Sequence, residues 1–258
     1  MGSSKWHSLV HGLISFGVVF LLWSAVTYTG FVKEFFLPTP TAVLYGFVTL
    51  FVRQGFMVDI LISIGRVFAG FWIAVLLAVP CGIAIGLHKK ANAFIEPVIA
   101  FIRYIPTPAL IPLFILWSGI GEMEKILAIA QLIFFQLTLM VANSVSFAPK
   151  EVIESARTLG ATQWQVTRHI IFPFIRPRIY DDLRISIGWA WSALMAAEIV
   201  GATSGIGLVI IGAQRLLRTE NVIVGILVIG FIGLLTDVIM KRLYPVFFPW
   251  APKLEHHA

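Results

Sequence analysis

The residues of this chain that could do chemistry stand out because their surroundings are apolar. Glu198 is the one charge between positions 185 and 214, and Arg103 directly precedes a stretch broken by Pro106, Pro108 and Pro112. Ionisable groups inside an apolar segment are expensive and face protein or water rather than lipid. Prolines there free backbone carbonyls, which is tolerated only where protein or a cavity satisfies them. A cation beside irregular backbone suits the passage of an anion; equally, Arg103 can snorkel to an interface from a packing kink. Glu198 precedes Gly201, Thr203 and Gly205, and either gates a pathway or pairs with Arg103 or Arg66. Gln136 and Asn143, seven apart, share one face of a helix. They line a polar path or bond across helices.

Enzymatic chemistry is poorly represented. There is no G-x-x-x-x-G-K-[ST] loop to cradle phosphate, and no Gly-Lys pair anywhere. Neither H-E-x-x-H nor G-x-S-x-G occurs. Cys81 is the single cysteine and sits in an apolar run, which excludes internal disulfides and cysteine-rich metal sites. His88 and His169 read as polar flanks. The expectation is no catalytic residue, no metal ligand and no cofactor bound by this chain.

The elements that hold these residues follow from composition. Of 258 residues, 59% are hydrophobic and only 12% charged, with a mean hydropathy of +0.92. A soluble domain is near half apolar and a quarter charged, so lipid is the expected solvent. Six apolar runs approach the 20 or so residues a spanning helix needs: 12–32, 67–87, 104–121, 126–149, 185–214 and 221–243. The second extends backwards past Arg66. The net charge of +6 does not point to nucleic acid, because the charges sit at the ends of apolar runs. Placing the amino terminus inside puts 12 of the 19 Lys and Arg residues in the cytoplasm and five, including Lys125, outside. Arg66 and Arg103 lie within or beside spans. That bias favours both termini inside. Leu37-Pro38-Thr39-Pro40 is a rigid turn, after which Thr41 can cap an interfacial helix to about Arg53, with Leu44, Phe47, Val48 and Phe51 on one face. Trp189 and Trp191 fit an aromatic belt, and Gly82 with Gly86 a close helix contact. The chain reads as one transmembrane domain over 1–253, with 254–258 a tag remnant like Met1-Gly2-Ser3-Ser4.

The longest polar stretch, about 150–184, has order written into it. Pro149 and Glu151 suit a helix start, and Gly160 suits the C′ position where φ turns positive. Thr162 and Gln165 form a capping box for a second helix, which Pro173 stops. An amphipathic connector would need no more than this. The string Glu154-Ser155-Ala156, three residues, Gly160, nine residues, Ile170, one residue, Phe172-Pro173 is more specific. It resembles the EAA motif of permease subunits of binding-protein-dependent ABC importers, with Ser155 in place of Ala and Phe172 in place of Leu. Further matches lie in Leu37-Pro38-Thr39-Pro40, Arg103-Tyr104-Ile105-Pro106, Trp117-Ser118-Gly119-Ile120-Gly121 and Ala197-Glu198 with Gly205-Ile206-Gly207. They are similar to the branch that handles nitrate, sulfonates and taurine. Tyr180-Asp181-Asp182 departs from it, where that branch carries small or hydroxyl residues.

The resemblance implies an all-α polytopic membrane protein of about six transmembrane helices with the type I ABC importer permease fold. It implies a multi-pass protein of the bacterial cytoplasmic (inner) membrane, working with a second permease copy, two ABC ATPase subunits and a periplasmic or lipid-anchored solute-binding protein. ATP and Mg would be bound by the ATPase partners. Glu154, Ser155, Ala156 and Gly160 would form the coupling helix seated in the ATPase, where two capped helices give a stiff lever. The cargo would be a small solute, an anion such as nitrate, a sulfonate, taurine or bicarbonate; a vitamin-like aromatic stays open. A secondary transporter or channel working without ATP is the alternative; it predicts activity in the chain alone and clearer internal symmetry.

Overall fold

A computed structural model describes residues 2–201 and 203–251, so the expected tag remnant at 254–258 and Lys253 lie outside the described residues. The chain runs through α1 (Gly2–Tyr28), α2 (Pro40–Val48), α3 (Phe56–Leu87), α4 (Lys89–Arg103), α5 (Thr107–Ser118), α6 (Glu122–Val145), α7 (Lys150–Thr158), α8 (Gln163–Val166), α9 (Phe172–Gly201), α10 (Ile206–Arg215) and α11 (Thr219–Phe247). Among the described residues five helical stretches are long and apolar enough to cross a membrane, or six if α4 and α5, bent by 93° at their break, count as one span. Five of the six expected spans are matched by single helical stretches, with altered outlines, and the third corresponds to the bent α4–α5 pair. The third is not straight: Pro106 holds extended backbone (ψ 129°) between α4 and α5, because a proline cannot continue the hydrogen-bond ladder. The second reaches back to Phe56, eleven residues beyond the uncharged run. The expected fifth span divides into α9 and the short α10.

Two local expectations fail for reasons of backbone chemistry. Pro173 does not stop a helix; α8 passes through a π turn at Thr167–Ile171 straight into α9. Pro173 is the second residue of α9, directly after the π turn, and the helix runs on through it. The helix after the Pro38-Pro40 turn is capped by Thr39, whose hydroxyl accepts from the Ala42 amide at 3.3 Å, rather than by Thr41. Its protein-facing side is Val43, Gly46 and Leu50, while Leu44, Phe47 and Val48 face outward.

The centre of the bundle is α3 packed on α6, with α9 laid across them. On α3, Gly70, Ala74, Ala78, Gly82 and Gly86 recur every four residues along one face. Ala74 and Ala78 are fully buried. A Cβ on Gly70 would come within 2.7 Å of Ile129, on Gly82 within 2.7 Å of the Thr138 carbonyl, and on Gly86 within 2.7 Å of the Ala142 carbonyl. Hydrogen at those sites lets the two backbones meet, the packing mode that replaces hydrophobic drive in lipid. Ile129, Ile133, Leu137 and Val141 of α6 fill the opposite side and are fully buried. Trp191, expected in an interfacial belt, lies in this core at 4% exposure. Placed mid-helix, with its ring near Gly233 of α11, it packs rather than anchors.

Candidate functional site

Three groups of polar residues interrupt this apolar bundle, at its two ends and along its middle. At one end, α7 and α8 project as a folded loop. Pro149 caps α7 with extended backbone, Glu151 lies in its first turn and Arg157 in its last, both charges suiting the helix dipole. Leu159 ends the helix and Gly160 takes φ +86°. The Gly160 amide donates to the Arg157 carbonyl at 2.9 Å and the Ala161 amide to the Ala156 carbonyl at 3.0 Å. That pair of bonds closes a Schellman turn. The Thr162 hydroxyl accepts from the Gln165 amide at 3.3 Å, and Gln165 Oε1 accepts from the Thr162 amide at 2.8 Å, so the capping box forms as read. Across the turn, Arg157 donates to Gln163 Oε1 at 2.7 Å.

The motif residues divide by burial. Glu154, Ser155 and Gly160 are exposed, while Ala156 and Ile153 pack against the core. The Ser155 hydroxyl donates to the Glu151 carbonyl at 2.7 Å, a bond that keeps it within its own helix. Leu159 and Trp164 stand at the tip, 88% and 67% exposed. The loop is therefore braced from beneath and apolar on top. Tyr180, Asp181 and Asp182 tie this end together: Tyr180 donates to the Met240 carbonyl at 2.9 Å, Asp182 accepts from Ser144 at 2.8 Å, and Asp181 meets Arg184.

Along the middle, Arg103 at the end of α4 reaches Gln136 of α6 at 3.4 Å and lies 5.1 Å from the centre of the Tyr104 ring. Gln136 is thus brought to Arg103, while Asn143, two turns on, is exposed beside Ser146. Asn143 lines a cleft of about 350 Å³ with Asn92, Glu96, Ser146 and Lys150.

At the end opposite the loop the polar groups are locked. Arg66, 2% exposed, donates to Glu198 at 2.7 Å, to Glu122 at 2.6 Å through Nε, and to the Ser204 carbonyl at 2.7 Å. The pairing of Glu198 is with Arg66 and not with Arg103. Gly205, Ile206 and Gly207 open α10, and their amides donate to Asp59 at 2.7 Å, Ser63 at 3.0 Å and Glu198 at 2.7 Å. Every one of those first N–H groups is capped from α3 or α9, so this helix start offers no vacant anion site. Alongside, Lys125 is 1% exposed and bonds Glu124 at 2.7 Å and the Gly121 carbonyl at 2.6 Å. It was expected as an external flanking charge; it is a buried one, because Glu124 follows Gly121 at capping distance and neutralises it. Sequence reasoning missed Asp59, Ser63, Glu122 and Glu124. Asp59, Ser63 and Arg66 at spacings of four and three share one face of α3, and that spacing was the available signal.

Over residues 70–249 the chain matches the family described as binding-protein-dependent transport system inner membrane component. It is 34% identical to the taurine transport system permease protein TauC of Escherichia coli, over 92% of this chain and 88% of that one. It is 31% identical to the putative aliphatic sulfonates transport permease protein SsuC of Bacillus subtilis, over 97% and 91%. In fold it is similar to the inward-facing MetNI methionine ABC transporter, with a TM-score of 0.65 at 20% identity over 74% of this chain and 95% of that one.

Proposed function

The chain belongs to the binding-protein-dependent ABC importer permeases, and on that premise we propose that it forms the membrane pathway for a small solute, driven through the α7–α8 loop by a separate ATPase. Two permease copies would enclose the path. Two ATPase subunits would carry ATP and Mg, and a solute-binding protein would deliver cargo on the opposite side. The loop end is then cytoplasmic, as the Lys and Arg bias favours, and the membrane is the bacterial inner one. The cargo would be a small sulfonate or related anion, a reading supported by similarity to permeases named for taurine and aliphatic sulfonates.

The observation that carries this reading is the loop itself. It is a Schellman-closed pair of short helices with Leu159 and Trp164 exposed at its tip and Glu154 exposed on its side. Apolar side chains held rigidly in water suit insertion into a partner's groove. Glu154 supplies a charge at the rim, and Gly160, with open space around its α-carbon, lets that partner approach the turn. An ATPase closing on nucleotide would move α7 and α8 as one lever and, through Ile153 and Ala156, the core beneath them. Copurification with an ATPase subunit, lost on Glu154→Lys or Gly160→Pro, is the expected result. Solute uptake by the purified chain in vesicles without any ATPase would sink the proposal and favour a secondary transporter or channel.

A further inference from the structure

The cleft beside Asn143 lies where α4 and the end of α6 meet the start of α7, and it holds charge of both signs. Glu96 comes from α4, one turn beyond Asn92. Asn143 and Ser146 come from the end of α6, and Lys150 is the first residue of α7. Glu96 and Lys150 do not pair with each other, and the side chains of Asn92, Glu96, Asn143 and Lys150 make no hydrogen bond or ion pair among the described residues. An acid and a base lining one cleft of about 350 Å³, both open to solvent and beside Asn92 and Asn143, are complementary to a molecule with opposite charges at its two ends. On α6, Gln136 shares the face of Asn143 two turns away, about 10.5 Å, and there meets Arg103 of α4.

We propose that this cleft binds a small zwitterion, an amino acid or amino sulfonate, with its ammonium on Glu96 and its anionic group on Lys150. Asn92, Asn143 and Ser146 supply the orienting hydrogen bonds. Calling it the release station of the pathway rests on the transport reading above; the ligand class rests on the cleft alone. Because Lys150 opens α7, a bound zwitterion ties α4 to the driven loop, so occupancy of the exit and position of the lever are linked.

The test is binding of three probes to the purified full chain in lipid nanodiscs, without ATPase or solute-binding protein, by titration calorimetry. Taurine carries both charges, ethanesulfonate only the anion and ethylamine only the cation. Taurine is expected to bind at least about tenfold more tightly than either one-ended probe, a difference of about 1.4 kcal/mol. Glu96→Gln is expected to reduce taurine to the affinity of ethanesulfonate while leaving ethanesulfonate unchanged. Lys150→Gln is expected to reduce taurine to the level of ethylamine, with ethylamine unchanged. The unchanged probe in each case reports that the variant is folded. Equal affinity for all three probes, no binding of taurine, or taurine binding indifferent to both substitutions would overturn the proposal. A chain that binds taurine in this pattern yet captures no ATPase would overturn the transport reading and leave the cleft assignment standing.

Discussion

Glu198 Oε1 accepts from Arg66 Nη1 at 2.7 Å and from the Ser63 hydroxyl at 2.7 Å, while its other oxygen caps the Gly207 amide at 2.7 Å. One carboxylate, fully buried on α9, thereby joins α3 to the first turn of α10. Arg66 adds Glu122 at the head of α6. The ion pair is a structural tie at the end remote from the loop, and its partners are saturated.

Removal of either partner leaves an uncompensated buried charge, which costs about 3–5 kcal/mol where measured in other proteins. Arg66→Ala and Glu198→Ala are each expected to lower the thermal unfolding midpoint of the purified chain sharply. The double variant Arg66→Met with Glu198→Leu is expected to recover much of that loss. Single variants that melt with the parent would contradict the burial described above.

Along the α3–α6 contact, Gly82→Ala drives a methyl within 2.7 Å of the Thr138 carbonyl and the Val141 side chain. Overpacking of this kind costs about 1–3 kcal/mol. At Gly65, on the open side of the same helix, a methyl meets nothing within 4 Å, and Gly65→Ala is expected to be neutral or to stabilise by up to about 1 kcal/mol. Thermal melts of the two variants side by side check the pair, and equal effects would refute the close contact.

Gly160 has space for a side chain but not the backbone for one. A non-glycine residue at φ +86° carries a strain of about 1–2 kcal/mol, least for Asn. Gly160→Val is expected to loosen the loop and weaken ATPase capture several-fold, with Gly160→Asn intermediate. Pull-down of the ATPase subunit measures both, and the opposite order would show that space, not φ, governs the position.

Arg103 and Gln136 are expected to couple weakly, by about 0.5–1 kcal/mol, given their 3.4 Å separation. Arg103→Gln is expected to reduce solute uptake by the assembled importer while leaving the melting midpoint near the parent's, since the side chain is only half-buried. A fall in stability with unchanged uptake per folded molecule would make it a packing residue.

Hydropathy located five of the spans, because segments that must satisfy every backbone group internally leave a long apolar signature, but it did not show that α4 joins α5 in the bent pair. The loop was equally legible: a glycine at C′ and a Thr-x-x-Gln box act within a few residues, and Gly160, Thr162 and Gln165 all do what their types suggest. Partners distant in sequence were not. Arg66 and Glu198 are 132 residues apart, and a lone charge in each apolar run offers several matches until the helices are set side by side. Lys125 was misjudged for the same reason, since only the fold reveals that Glu124 and the Gly121 carbonyl enclose it. Trp191 was misplaced because an aromatic belt and a buried tryptophan look identical in one dimension.

The small residues of α3 repeat every four positions from Gly70 to Gly86, directly below Arg66 in the same row. A repeat of that kind has no memory of level: α6 displaced by one turn, about 5.4 Å, would meet another small residue and pack nearly as well. Among the described residues, Arg66 with Glu122 is the side-chain hydrogen-bonded pair that marks one level of α6 on α3. The ridge is a smooth rail and the guanidinium is the pin that fixes where on it the helix stops. A bilayer sets depth only loosely, so this pin fixes the height at which Gln136 of α6 stands against α3.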